Sequence, residues 1–172
     1  LVPVGIFRTD TAGHCVYVNE HWGALTGYTP QQAYGTGWAH ALHPQDRESV
    51  FAAWRDAVSR KNVFRSEYRF QRPDGQVAWV VGEAHPEYDE YGTLSGYVGS
   101  ITDITARKET EQALRDSEER FRKTFHASPV IISITRVRDG RFIDVNETFE
   151  EVFGWRRDEI IGRTSIELNF WI

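Results

Sequence analysis

The chain has 172 residues, a formal net charge of −5 and 40 % apolar residues, among them 6 tryptophans, 7 tyrosines and 10 phenylalanines. That apolar content builds a packed core and excludes wholesale disorder; a mildly acidic balance without a basic block leaves no electrostatic footprint for nucleic acid. The single cysteine, Cys15, excludes an intrachain disulfide, and no apolar run reaches the roughly 18 residues that span a bilayer, so the chain reads as cytoplasmic. It contains no methionine and reads as a fragment excised from a larger protein; a membrane anchor elsewhere in that parent stays open.

In chain order, residues 4–8 and 15–18 are predicted strands joined by the Asp10–Gly13 turn. Asn19 is an N-cap candidate for a helix that carries Trp22 and Leu25 and stops at Gly27. Thr29-Pro30 opens a second, short helix. The His43-Pro44-Gln45-Asp46 stretch breaks the chain before a longer helix, about 44–60, whose buried face is Val50, Phe51, Trp54 and Val58. Residues 63–72 alternate, with Phe64, Ser66, Tyr68 and Phe70 on one face and Arg65, Glu67 and Arg69 on the other. A Pro73-Asp74-Gly75 turn leads to a strand at 77–85, with Val77, Trp79 and Val81 on one face. A turn at 89–92 leads to the last strand, 94–102, where Gly96 and Gly99 predict close backbone packing. Two strands, several helices and three more strands make an α+β domain with one five-stranded antiparallel sheet and helices on one face.

The segment 13–35, GHCVYVNEHWGALTGYTPQQAYG, returns at constant offset as 140–162, GRFIDVNETFEEVFGWRRDEIIG. Gly13, Val18-Asn19-Glu20, Gly27 and Gly35 match Gly140, Val145-Asn146-Glu147, Gly154 and Gly162, and Ile6 matches Ile132. The period is too long for a solenoid and indicates tandem domains of about 100 residues. Together with Pro73-Asp74-Gly75, Trp79, Asp89, Gly92, Gly96, Gly99 and Asp103-Ile104-Thr105, these segments resemble a PAS domain, and the His43-Pro44-Gln45-Asp46-Arg47 turn is common in that family. The resemblance divides the chain into a PAS domain with its PAC motif (1–105), a linker helix (106–125) and a truncated second PAS copy (126–172). Lacking the long helix and the last three strands, that second copy is expected to be poorly stable, docking on the linker or pairing with another chain.

The linker has no Gly or Pro and sets four acid-to-base pairs at helical spacing: Glu111–Arg115, Asp116–Arg120, Glu118–Arg122 and Glu119–Lys123. Each is worth roughly 0.2–0.5 kcal/mol. Ile104, Leu114, Phe121 and Phe125 share a seven-residue frame with Arg107, Glu111 and Glu118, which fits either a solvated connector or a parallel dimer helix. The PAS resemblance implies the latter: a homodimer through the PAS domain and linker helix, with an effector domain in the same parent chain. That effector is expected to be a histidine kinase, or else a cyclic-di-nucleotide enzyme, in a two-component system.

No phosphate loop, zinc-protease motif or nucleophile elbow is present, so the chain is not expected to be an enzyme. Cys15, on a strand without nearby cations, reads as a passive small side chain. His40 and His43 are read as turn residues rather than haem or metal ligands; PAS relatives that bind haem usually draw the iron ligand from the long helix, which has no histidine here. Trp38, Leu42, Phe51, Trp54, Ser66, Tyr68, Phe70 and Trp79 are the ligand-pocket candidates, and a filled core explains the same aromatics. No cofactor is required; the resemblance leaves flavin or haem as alternatives for a redox or gas sensor, beside a purely dimerising scaffold. Asp103, Ile104 and Thr105 are the expected signal relay, with Asp103 capping the linker helix.

Overall fold

A computed structural model describes residues 4–170. Two compact units divide between Thr110 and Glu111. In the first, β1 (Gly5–Thr9) and β2 (Cys15–Val18) pair as an antiparallel hairpin. Asn19 caps α1 (Glu20–Thr26) by accepting from the Trp22 N–H. Its carboxamide oxygen also accepts from the Ile6 N–H at 2.9 Å, and its amide nitrogen donates to the Val4 carbonyl at 3.0 Å. One short side chain therefore fixes the hairpin to the helix, satisfying donors that would otherwise be orphaned. Gly27 ends α1 in the left-handed region at φ 76°.

Thr29 and Gln32 close a reciprocal capping box on α2 (Pro30–Ala33), and a 3-10 helix follows at Gly37–Ala41. The long helix α3 (Arg47–Arg60) starts later than the sequence suggests, because the His43 carbonyl first closes a turn with the Asp46 N–H at 2.9 Å. Then come β3 (Phe64–Gln71), β4 (Val77–Tyr88) and β5 (Leu94–Asp103). The five strands lie in the order β2-β1-β5-β4-β3, all antiparallel. β4 runs past His85 through Pro86. That proline pairs with Tyr97 beyond Ala84, the last β4 residue paired to β3, so β4 is an edge there and tolerates the missing N–H.

Trp54 occupies the centre of the core. Its ring meets Phe7, Trp38, Phe64 and Tyr97 edge-on at 6.3, 6.5, 5.4 and 5.3 Å, and its indole N–H donates to the Gly13 carbonyl at 3.1 Å. A Cβ at Gly13 would stand 2.9 Å from both the Trp54 Nε1 and a Val58 methyl, and Gly13 has a φ of 84°. Packing and backbone conformation therefore both demand glycine.

Helix α4 (Thr105–His126) follows β5 directly. Of the ion pairs expected along it, Glu119–Lys123 forms at 2.6 Å. Asp116 is instead engaged by Gln112 at 2.7 Å, and Arg120 turns to the Asp116 main-chain carbonyl. Among the described residues, no helix is long and apolar enough to cross a membrane.

The second unit contains β6 (Ser133–Thr135), β7 (Phe142–Val145), α5 (Glu147–Phe153) and α6 (Arg157–Ile160). Asn146 repeats the Asn19 clamp, accepting from Ile132 and Phe149 N–H groups at 2.9 and 3.1 Å and donating to Val130 at 2.8 Å. This unit has a small core of its own, Phe142, Val145, Phe149, Ile160 and Leu168, with Trp155 and Phe170 packed on it.

Asn19→Ala should destabilise the first unit by about 2 kcal/mol, through loss of the cap and of the hairpin bonds. Urea unfolding followed by tryptophan fluorescence measures this.

Candidate functional site

Between the sheet and the helices lies an internal cavity of about 30 Å³. β1 and β2 contribute Phe7, Thr9, Cys15 and Val18 to its wall; the helical layer contributes Trp22, Trp38 and Trp54; β3 and β5 contribute Phe64, Tyr68, Phe70 and Ile101. The volume holds about two waters, against roughly 300–1,000 Å³ for an ordinary ligand pocket. Neither a flavin nor a haem fits it. His40 is exposed, and the His43 Nδ1 accepts from the Gln45 N–H at 3.3 Å; neither lines the cavity. No cluster of three metal-ligating side chains occurs among the described residues.

Of the residues proposed from sequence, Trp38, Trp54, Tyr68 and Phe70 come together around the cavity. Leu42 is fully buried and bridges to Phe70 without reaching the cavity. Phe51 stacks on the outside of Trp38 at 5.8 Å and lines a surface groove. Ser66, opposite Gly82, turns its hydroxyl to the Glu67 carbonyl. Trp79 does not line this cavity. The strand alternation puts Val80, Gly82 and Ala84 inside, and Trp79 lies on the opposite face. The small inner residues make room for aromatics: a Cβ at Gly82 would stand 2.5 Å from the Tyr68 hydroxyl. The wall residues overlooked in the sequence are Phe7, Thr9, Cys15, Val18 and Trp22, marked by the inward positions of the first hairpin and of α1, and Phe64 and Ile101, marked by the inward phase of β3 and β5.

The wall's polar groups are mostly engaged. The Thr9 hydroxyl donates to the Asp10 carbonyl at 3.0 Å and the Cys15 thiol to the Tyr17 carbonyl at 3.6 Å. Burial pushes the Cys15 thiol up, away from the reactive thiolate. The Tyr68 phenol is pushed up by the same cause and stays neutral. Its ring packs edge-on against Phe70, and its hydroxyl has no protein hydrogen-bond partner among the described residues.

The second part of the site is where the sheet meets α4. The β4–β5 ladder ends at Val80–Asp103, and two further bonds continue it: the Ile104 N–H donates to the Trp79 carbonyl at 2.8 Å, and the Trp79 N–H donates to the Thr105 hydroxyl at 2.9 Å. The Asp103 carboxylate accepts from the Thr105 N–H at 2.7 Å, stitching strand end to helix start. Along α4, Leu114 and Phe121 are exposed, whereas Ile104 is half-buried and Phe125 is buried. The seam proposed from sequence therefore reduces on the surface to Leu114 and Phe121.

At the far side of β3, Asp46 accepts from Arg69 through Nη2 at 2.5 Å, Nε at 2.9 Å and the main-chain N–H at 2.9 Å. These bonds, with the neighbouring His43 acting in the same sense, hold the Asp46 carboxyl below the ordinary carboxylate range.

Comparison with known proteins bears on both parts. The profile of the PAS-fold family matches residues 15–101, and a second PAS-fold profile matches residues 119–170. A Sinorhizobium fredii protein, y4lL, is 39 % identical over 110 residues, covering 64 % of this chain and 13 % of its own length. The two-component sensor PprA of Pseudomonas aeruginosa is 29 % identical over 173 residues, covering 99 % of this chain and 18 % of its own length. The chain thus spans only a small part of these curated relatives. A solved structure of a sensory box histidine kinase/response regulator from Burkholderia thailandensis superposes with a TM-score of 0.55 at 27 % identity, covering 71 % of this chain and 92 % of that one.

Two outcomes are expected. Tyr68→Phe should leave stability within about 1 kcal/mol or raise it, because it removes a hydroxyl without a protein partner; urea unfolding tests this. A carboxyl lowered in the folded state stabilises the fold at neutral pH, and that contribution disappears as pH falls through the folded value. Asp46→Asn should therefore cost stability at neutral pH and flatten the acid limb of the stability curve, measured by thermal melts across pH.

Proposed function

We propose, from the premise that this chain belongs to the PAS-fold family, that it is the sensory segment of a signalling protein whose output leaves through α4. The carrying observation is the junction at Trp79, where the main chain of an interior strand holds both Ile104 and Thr105 at the helix start. A change in the cavity wall displaces β4 or β5, and the displacement reaches α4 through Asp103, Ile104 and Thr105. A ligand or partner acts there only through different affinity for two sheet states. The cavity favours a small guest, or a signal arriving from another domain, over a flavin or haem.

The effector is a histidine kinase in the same parent chain. The similarity to PprA, a two-component sensor, and to the sensory box histidine kinase of Burkholderia thailandensis supports this. The module works as a cytoplasmic homodimer, with Leu114 and Phe121 on the contact seam of α4; these are exposed apolar side chains on an otherwise charged helix. The alternative of a pure scaffold predicts a dimer whose effector ignores the junction.

Thr105→Val removes the acceptor of the Trp79 N–H. In the parent protein it should reduce the response of autophosphorylation to stimulus about tenfold, a coupling loss of ordinary allosteric size, while the domain stays folded. An unchanged response sinks the relay. Separately, Leu114→Glu combined with Phe121→Glu should convert a dimer to a monomer in sedimentation equilibrium, whereas a wild-type chain that sediments as a monomer removes the seam.

A further inference from the structure

β3 is the last strand of the sheet, so its outer edge carries backbone groups in search of partners. The stretch between the 3-10 helix and α3 supplies them. Leu42 bridges to Phe70, the His43 N–H donates to the Arg69 carbonyl at 2.9 Å, and Asp46 takes the Arg69 N–H. The Asp46 carboxylate also grips the Arg69 guanidinium, and both side chains are mostly buried, 17 % and 24 % exposed. A pair so shielded is screened far less than a surface ion pair. The turn that fixes Arg69 is therefore the same turn that joins the elements bearing the cavity-wall residues Trp38 and Trp54.

The Arg69 guanidinium lies 5.3 Å from the centre of the Trp79 ring, on the face of the sheet turned away from the cavity. The Lys108 ammonium lies 5.2 Å from the same ring. Glu67, two residues before Arg69 on the same face of β3, holds Lys108 at 2.7 Å and Arg107 at 2.6 Å. Trp79 is thus engaged twice where β5 passes into α4: its main chain by Ile104 and Thr105, its ring by Lys108.

We propose that Asp46, Arg69 and Trp79 are positioning residues that form a side-chain route, across the outer sheet face, from the turn between the 3-10 helix and α3 to the first turns of α4. The route is additional to the strand-end relay through Asp103, Ile104 and Thr105. It deepens, and rests on, the reading of α4 as the output element. Arginine suits its centre because a planar fork takes two carboxylate bonds at once and still lies against an indole, a bidentate geometry that a lysine ammonium does not reproduce. Movement of the turn shifts Arg69, unloads one side of Trp79, and loosens the seat of Lys108.

The test is native-state hydrogen exchange on the whole 172-residue chain, read at the amides of Ile104, Thr105 and Lys108. Arg69→Lys and Asp46→Asn should each lower protection at these amides about tenfold, while amides of the β1–β2 hairpin keep theirs. The double variant should cost no more than the larger single one, as coupled neighbours do. Loosening confined to residues 42–46, with the start of α4 unchanged, would make Arg69 an edge cap only and overturn the proposal. Should either variant unfold the domain, Lys108→Met approaches the route from its α4 end. It keeps the stem, removes the charge over Trp79, and must lower protection at the start of α4 for the proposal to stand. Exchange reports on the junction itself, so its failure is distinct from a failure of α4 as output, which the Thr105→Val response tests.

Discussion

Trp54 is the contact on which the first domain depends. It lies on α3, yet its ring and its N–H touch the opening hairpin, the 3-10 helix, the edge strand β3 and the final strand β5. A large aromatic that also satisfies its polar atom gains area burial without an orphaned donor. Partners distant in sequence thus converge on one ring, which ties the helical layer to the sheet. The same crowding limits the cavity to about 30 Å³. So nearly filled an interior transmits small displacements rather than absorbing them.

The two faces of the sheet divide the work. The inner face is a mosaic of large rings and tiny partners, with Tyr68 over Gly82 and Phe7 against Gly99. The outer face carries Glu67, Arg69 and Trp79, and meets the first turns of α4. β3 and β4 present both faces at once through simple alternation. A strand shift of one kind is thus felt on both sides: as a change of packing within, and as a change of charge–ring contact without.

Much of this was legible in the sequence. Asn19, Gly27 and Thr29-Pro30 announce their roles because capping is local chemistry, and the repeated segment returns the same cap at Asn146. The element order led to one antiparallel sheet, but the order β2-β1-β5-β4-β3 was not legible, since which strands pair depends on long-range contacts. Trp79 was misplaced for a physical reason. Aromatic identity suggested the interior, but the phase of β4 is set by the need to place Gly82 and Ala84 beneath aromatic neighbours. The Asp46–Arg69 pair was invisible because two residues far apart in sequence meet only when the edge strand is covered. On α4, Asp116 had a nearer partner in Gln112 than the expected arginine.

Each outer strand of the first sheet is met at one place by a neighbouring segment. Leu42–Asp46 lines β3, and on the other side Cys15 and Gly35 exchange two main-chain bonds of 2.8 Å. In the second unit Phe142 repeats that last arrangement, donating to the Arg163 carbonyl at 2.8 Å and accepting from the Gly162 N–H at 2.9 Å. Two modules of one fold in a single chain also carry like strand edges. In such company an unsealed strand invites cross-domain pairing, the characteristic misassembly of repeated modules. The glycine at the close of each repeated segment makes that main-chain contact in both copies, and so leaves less unpaired strand for another edge to find.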